Sequence, residues 1–510
     1  DLHKAIRRQR QMCIRDRLYR QRNNTKVAIE YLNEKITYSQ INERVTQNKE
    51  LLVGKSKMLN CNNIGLFLQN SISYVIGYFT IAYLDKVIVP IEITLSKSQF
   101  LSIISYCEIG MVITIQSYLS TILEYCKNYS VDMEVFLVDF NKLVFISGKE
   151  KRTISEKCRR NVTDKSVAIM LHTSGTTSDP KKVMLSHQNL IANIESNIAS
   201  LELNENDKTL IVLPMYFGYC NSSQFLTHLY LGASIVIANQ PFNPAQFLKI
   251  IEEKKCTNTT CVPSMLFLII NMKKKYDTSS LRYLFFGGGL MPVDKLYRII
   301  DYFDNTGVVQ TYGQTEASPR ISCLLPHDSL RKIGSVGKAI PNVVVDIFDE
   351  RDKPVKLGEV GEIVVKGENV MVGYYKHPEE TNNVKRNGWL HTGDIGKFDN
   401  EGYLYIVGRI KNMIISGGLN IYPEEIEEVL ITHDDIKDVV VIGETHDILG
   451  EIPVAKIVTD NRNLTVYDII GYCAKFLDKY KIPKKIIFCD ELEKTYTGKI
   501  IRKQKTNSEE

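Results

Sequence analysis

Val167-Ala-Ile-Met-Leu171, then His172 and Thr173-Ser-Gly-Thr-Thr-Ser-Asp-Pro-Lys-Lys182, holds more information about the architecture than any other segment of the chain. The first five residues form a short apolar run of the kind that makes a buried strand. The segment from Thr173 to Lys182 combines serial hydroxyls, a glycine that lets backbone approach a ligand closely, and a lysine. A loop that wraps a polyphosphate and neutralises its charge needs these residue types. The Gly-to-Lys spacing of G-x-x-x-x-G-K is missing, so the loop is not of the Walker form. Taken alone, the same residues also read as a Ser/Thr-rich surface turn.

On both sides of this loop, short β-branched runs alternate with longer amphipathic stretches. Ala28 to Leu32, Ile64 to Phe67, Val87 to Ile91, Met111 to Ile115 and Val135 to Val138 precede the loop, and Ile211 to Leu213, Ser234 to Ile237 and Leu281 to Phe286 come after it. Thr37 or Ser39 is placed to cap the first helix. The alternation predicts βαβ units and largely parallel sheets. From Gly334 to about Tyr405 the segments become short and glycine-punctuated (Val343 to Phe348, Gly361 to Lys366, Gly402 to Val407), which predicts a β-rich antiparallel subdomain. After Arg409 come a helix from Pro423 to Ile431, a strand from Val439 to Ile442 and a basic tail. The fold expected is therefore α/β: a large N-terminal domain over residues 25–408, a hinge at 409–411, and a small, mobile α+β domain over 412–505.

Composition sets the limits. The 510 residues exceed what one core usually organises. A net charge of +5 on 64 basic and 59 acidic residues gives no footprint for nucleic acid or an anionic membrane. The eleven cysteines are scattered without a C-x-x-C pair, as suits reduced thiols in the cytoplasm better than a disulfide or zinc framework. The longest apolar stretch, Tyr74 to Leu84, falls short of the ~18–20 residues of a membrane-spanning helix. Residues 1–22 are basic, with almost no apolar face and no initiator Met, and read as a non-native or disordered leader outside the fold.

Thr173 to Lys181, continued by Val183-Met-Leu-Ser-His187, resembles the phosphate-loop signature TSGTTGxPKGVxxSH of the adenylate-forming (AMP-binding) superfamily. Ser178 and Lys182 stand where that signature has glycine. Further motifs appear in the family's order. Tyr312-Gly-Gln-Thr-Glu316 is similar to YGxTE, and the resemblance implies that Tyr312 packs on adenine, Thr315 meets the α-phosphate and Glu316 holds magnesium. Trp389-Leu-His-Thr-Gly-Asp394 resembles W-x-x-TGD, with Asp394 on the ribose hydroxyls. Gly408-Arg409-Ile-Lys411 resembles the family's hinge, with Asn412 in place of a common Asp. Ser416-Gly417-Gly418 resembles the loop that lines the thiol tunnel. Lys494-Thr-Tyr-Thr-Gly-Lys499-Ile-Ile-Arg502 is similar to PKTxTGKxxR, with Glu493 in place of Pro.

The resemblance implies catalytic roles for Lys499, Glu316 and Thr173, and ATP contacts from Ser174, Gly175, Thr176, Thr177, Lys181, Gly287, Gly288, Gly289, Tyr312, Gly313, Thr315, Asp394 and Arg409. It also implies an acyl pocket at Tyr216, Phe217 and Tyr219. Amino-acid-activating relatives carry an Asp after the first aromatic of that pocket segment. Here Phe217 and Gly218 follow Tyr216, and a buried ammonium without a counter-charge would be costly, so a fatty or aryl acid without an amine is expected. The implied activity is ATP- and Mg2+-dependent conversion of a small carboxylic acid to acyl-AMP, then to a thioester with coenzyme A. Two alternatives stay open at this point: loading of an acyl carrier protein's phosphopantetheine, and a degenerate nucleotide-binding relative without catalysis.

Overall fold

A computed structural model describes residues 14–57, 60–127, 132–146, 163–172, 181–289, 291–493 and 500–502. Two large sheets, parallel at their centres, form the N-terminal part. The first runs in the spatial order Lys338–Ala339, Arg320–Leu324, Gly307–Gly313, Tyr283–Phe286, Asn258–Cys261, Lys208–Ile211, Ser234–Ile237, Val27–Tyr31, Glu34–Thr37. Its interior pairings are parallel, and the hairpin partners at its two ends are antiparallel.

The second sheet runs Gly373–Tyr374, Lys182–Ser186, Val167–His172, Val87–Ile91, Asn63–Phe67, Ile109–Thr114, Met133–Leu137, Lys142–Ile146. Central strands such as Asn63–Phe67, Val87–Ile91 and Ile109–Thr114 are buried throughout, as expected where helices cover both faces. Thr37 is the cap of helix Tyr38–Lys55, and its side chain is matched by Gln40 in a reciprocal capping box.

The apolar stretch near Tyr74 forms the buried helix Ile72–Tyr83. Tyr74, Tyr78 and Phe79 pack there against Phe225. Among the described residues no helix is long and apolar enough to cross a membrane, and no cysteine forms a disulfide. Next along the chain is a five-stranded antiparallel sheet built on Val343–Phe348, Gly361–Gly367, Trp389–Phe398, Lys385–Arg386 and Leu404–Arg409. The C-terminal sheet contains Leu419–Ile421, Ile414–Ser416, Gly450–Val458, Asp438–His446 and Lys485–Cys489, with its own small core around Ile414, Ile426, Leu430 and Val441.

One expectation is overturned. Residues 1–22 do not all stand outside the fold, because Ile14–Arg20 is a helix and buries Ile14 and Leu18 in the main core. Four residues apart, these two side chains share one helix face, and a two-residue stripe was too short to register as amphipathic. The Leu18 carbonyl also accepts a hydrogen bond from Asn42 Nδ2 at 2.9 Å.

Lys182, which stands where the resembling signature has glycine, lies fully buried in its strand, and among the described residues its Nζ has no hydrogen-bond partner. Burial pushes its pKa down. Lys182→Met keeps the aliphatic stem and removes the amine, so it is expected to stabilise the protein by ~1–3 kcal/mol at neutral pH. The sign with pH follows from linkage. The unfolded chain binds the extra proton between the depressed folded pKa and the unfolded value of ~10.4, so wild-type stability rises with pH across that window. The gap between the two proteins should therefore close as pH approaches 10 and be widest below the folded pKa, as urea midpoints over a pH series would record.

Candidate active site

The chemistry gathers at the carboxyl ends of the central strands of the first sheet, where open α/β sheets bind ligands. Strand Gly307–Gly313 passes directly into the turn Thr315–Ala317. At Gly313 the neighbouring chain comes so close that a Cβ would lie 1.7 Å from the Pro319 carbonyl oxygen. The chain can make this turn only without a side chain there.

Tyr312 is buried and donates from its hydroxyl to Asp394 Oδ2 at 2.8 Å. Asp394 lies opposite Arg409 in the antiparallel register, and Arg409 Nε pairs with its other oxygen at 2.7 Å. Burial, and then the Asp394 charge, hold the Tyr312 phenol well above its ordinary pKa, so it stays a donor. Asp394 itself is 2% exposed, and its Arg409 partner is about half exposed, which leaves a polar rim above a buried anion.

Glu316 accepts a hydrogen bond from the Tyr374 hydroxyl at 2.9 Å. Burial pushes its carboxyl up, while the Tyr374 bond and the Arg409 charge pull the other way. Lys181 Nζ sits 5.2 Å from the Tyr374 ring centroid, so the end of the phosphate-loop segment meets the Glu316 turn across one aromatic ring. Strands Val167–His172 and Lys182–Ser186 pair antiparallel with His172 opposite Lys182. Thr173, Ser174, Gly175, Thr176 and Thr177 lie outside the described residues, as does Lys499.

Among the described residues no three metal-ligating side chains cluster. A magnesium ion held by one carboxylate plus substrate phosphates needs no such cluster, because it keeps most of its ligands as water and phosphate oxygen. Glu316 fits that role: it is an acid in a desolvating site with a hydroxyl and no basic ion-pair partner among the described residues.

The segment around Tyr219 meets strand Gly307–Gly313 here. Tyr219 shares a 2.8 Å hydrogen bond with Thr311 Oγ1, which also donates to the Phe286 carbonyl at 3.0 Å. A Cβ on Gly287 would fall 2.5 Å from the Thr311 carbonyl and 3.3 Å from the Tyr219 hydroxyl, so glycine alone permits the contact. Gly218 approaches Thr315, where an added Cβ would be 3.3 Å from Oγ1. Tyr216 and Phe217 are half-buried with ring centroids 4.7 Å apart. Gly288 and Gly289 continue the chain after Gly287 at an exposed edge.

Lys411 lies in the single turn Ile410–Asn412 immediately after strand Leu404–Arg409. Burial, and then the neighbouring Arg409 charge, lower its pKa. Asn412 Nδ2 donates to Glu424 Oε1 at 2.6 Å, giving the residue that replaces the family's Asp a partner on the C-terminal helix Pro423–Leu430. Ser416, Gly417 and Gly418 form the turn between Ile414–Ser416 and Leu419–Ile421, and Gly417 bonds to the Leu449 carbonyl at 2.8 Å. Their described contacts run within the C-terminal sheet and do not reach the Glu316 cluster.

Sequence reading missed Tyr374 and Arg320. Tyr374 sits in the two-residue strand Gly373–Tyr374 and joins the site only because that strand pairs with Lys182–Ser186. Arg320 carried a signal, a lone charge opening the apolar strand Arg320–Leu324, whose residues are all buried.

The profile of the AMP-binding enzyme family matches residues 16–375, and that of the AMP-binding enzyme C-terminal domain matches 425–499. The 2-succinylbenzoate–CoA ligase of Bacillus cereus (strain ATCC 10987 / NRS 248) is 32% identical over 492 residues, covering 94% of this chain and 95% of the relative. The o-succinylbenzoate CoA synthetase (MenE) of Bacillus subtilis, solved with the acyl-adenylate intermediate OSB-AMP, superposes with a TM-score of 0.84 at 27% identity, over 97% and 98% of the two chains. The same enzyme solved with ATP and magnesium gives a TM-score of 0.83 at 28% identity, over 95% and 98%. The chain therefore belongs to the AMP-binding enzyme family, among the adenylate-forming enzymes of the acyl-CoA synthetase type.

Proposed function

We propose that this protein is an AMP-forming acid–thiol ligase that couples 2-succinylbenzoate to coenzyme A at the expense of ATP. One observation carries the reading: three contact groups, Tyr312 with Asp394 and Arg409, Glu316 with Tyr374 and Lys181, and Thr311 with Tyr219 and Gly287, adjoin one another on strand Gly307–Gly313 and the turn that follows it. Asp394 would accept the ribose hydroxyls, since a carboxylate offers two acceptor oxygens. Lys181 and the hydroxyl-rich segment beginning at Thr173 would hold the phosphates. Glu316 would hold magnesium, which draws charge from the leaving pyrophosphate.

In the first step a carboxylate oxygen of the acid attacks the α-phosphorus and pyrophosphate leaves. In the second the thiol sulfur attacks the acyl carbon, the S–H proton is lost and AMP leaves. The named relatives narrow the expected fatty or aryl acid to an aryl one and favour coenzyme A over a carrier protein. Both co-substrates are cytoplasmic, and we place the reaction there.

The deciding experiment measures acid-dependent pyrophosphate release over a panel of carboxylic acids, with and without coenzyme A. Release with 2-succinylbenzoate and formation of its CoA thioester support the reading. Turnover of carrier-protein thiols in preference to coenzyme A, or of fatty acids in preference to aryl acids, would overturn it.

A further inference from the structure

We propose that Arg320 selects the acid, by taking a second carboxylate on the acyl substrate so that dicarboxylic acids are activated in preference to monocarboxylic acids of the same skeleton. This rests on the proposed function, in which the half-buried face of Tyr216, Phe217 and Tyr219 receives the acid.

Arg320 opens a strand opposite Gly313, and its side chain is turned into the interior with 2% of the residue exposed. Its NH1 donates to Asn197 Oδ1 at 2.6 Å, and its Cζ lies 5.4 Å from the Phe285 ring centroid. Among the described residues the buried Nε has no hydrogen-bond partner and no carboxylate pairs with the guanidinium. A buried cation with one neutral hydrogen bond and one aromatic face recovers only a fraction of its desolvation cost. The missing element is an anion.

Among the described residues the hydrogen bonding leaves one particular edge of the guanidinium unengaged. Asn197 cannot turn away, because its Nδ2 donates to the Ser223 carbonyl at 3.0 Å. That carbonyl belongs to the π-helical turn Asn221–Leu226, whose wider winding frees backbone acceptors for side chains. With NH1 occupied by Asn197, the Nε–NH2 edge is left, two parallel donors with the spacing of a carboxylate's two oxygens. The pocket residue Tyr219 is close enough for the Arg320 charge to oppose the burial that pushes its phenol up to about 12. Arg320 is thus beside the acyl segment and not in a separate part of the core. A lysine would place a point charge there without the planar fork.

The test compares kcat and KM of pyrophosphate release for 2-succinylbenzoate, 4-oxo-4-phenylbutanoate (the same skeleton without the ring carboxylate) and a set of other aryl and aliphatic diacids. The proteins are the wild type, Arg320→Gln, Arg320→Lys and Asn197→Asp. Arg320→Gln should lower the diacid-to-monoacid ratio of kcat/KM by about 10- to 100-fold, mainly through KM, as expected for loss of a hydrogen bond to a charged group. Arg320→Lys should keep part of the preference.

Asn197→Asp supplies an internal counter-ion without removing the arginine. It should lower the ratio as well, which separates selection from misfolding. If the variants lose activity equally on both acid classes, Arg320 is structural and the inference falls while the substrate reading stands. If the wild type prefers a different diacid and Arg320→Gln abolishes that preference, the inference stands and 2-succinylbenzoate is wrong. If the wild type prefers monocarboxylic acids, the inference is overturned.

Discussion

Lys499→Ala is expected to lower acid-dependent pyrophosphate release by about two to three orders of magnitude, the usual cost of removing one preorganised contact to a developing charge. Thioester formation from supplied acyl-AMP should be nearly intact, because thiol attack needs no cation where the carboxylate met the α-phosphate. Residues flanking the Lys499 segment are tied to the C-terminal sheet. The Ile501 amide donates to the Glu493 carbonyl at 2.8 Å, closing the chain on either side of 494–499. Arg502 bonds Glu427 Oε2 at 2.6 Å and the Val441 carbonyl at 2.7 Å. Burial pushes the Glu427 carboxyl up to about 7, against the pull of Arg502.

The residues that flank the segment are therefore held by the C-terminal domain, and we propose that a rotation at residues 409–411 withdraws Lys499 and brings the turn at Ser416, Gly417 and Gly418 to the thiol. Lys411→Pro restricts φ in that turn, and should spare adenylation while slowing thioester formation. Both half-reactions measured on both variants decide the matter. Equal losses in each would refute a division of labour between Lys499 and the hinge.

Glu316→Gln is expected to reduce adenylation by about 100-fold at low magnesium and to recover partly when magnesium is raised, since a neutral amide is a poor ligand for a hard cation. The Gln side chain can still accept from Tyr374, so the turn at Thr315–Ala317 should fold as before. The wild type should also need more magnesium as pH falls. Burial raises the Glu316 carboxyl, so a proton competes with the metal at higher pH than for a free glutamate. Magnesium titrations at several pH values check both points. An unchanged rate for the variant at low magnesium would remove Glu316 from the metal site.

The order of motifs along the chain was readable because each is a local requirement. Serial hydroxyls and glycine suit a phosphate loop, and Tyr312, Glu316 and Asp394 were marked by the resemblance of their short motifs to those of a family. Short β-branched runs such as Val87 to Ile91 and Ser234 to Ile237 became strands with those same ends, since their apolar period and turn boundaries are local too. Helix Pro423–Leu430 was legible from its proline start and acidic first turn.

Other features rest on partners far apart in sequence. Tyr374 reaches Glu316 across 58 positions, and Arg320 reaches Asn197 across 123. No local pattern marks either contact. Ile14 and Leu18 looked like isolated apolar residues in a basic stretch until helix packing supplied the surface that buries them. The amino-acid order was enough to carry the family resemblance and to mark strands and helices, because motifs, propensity and spacing act over a few residues. Which charges are left without partners, and so what they can bind, emerged only on burial, because desolvation depends on the whole packed structure and not on neighbours in the chain.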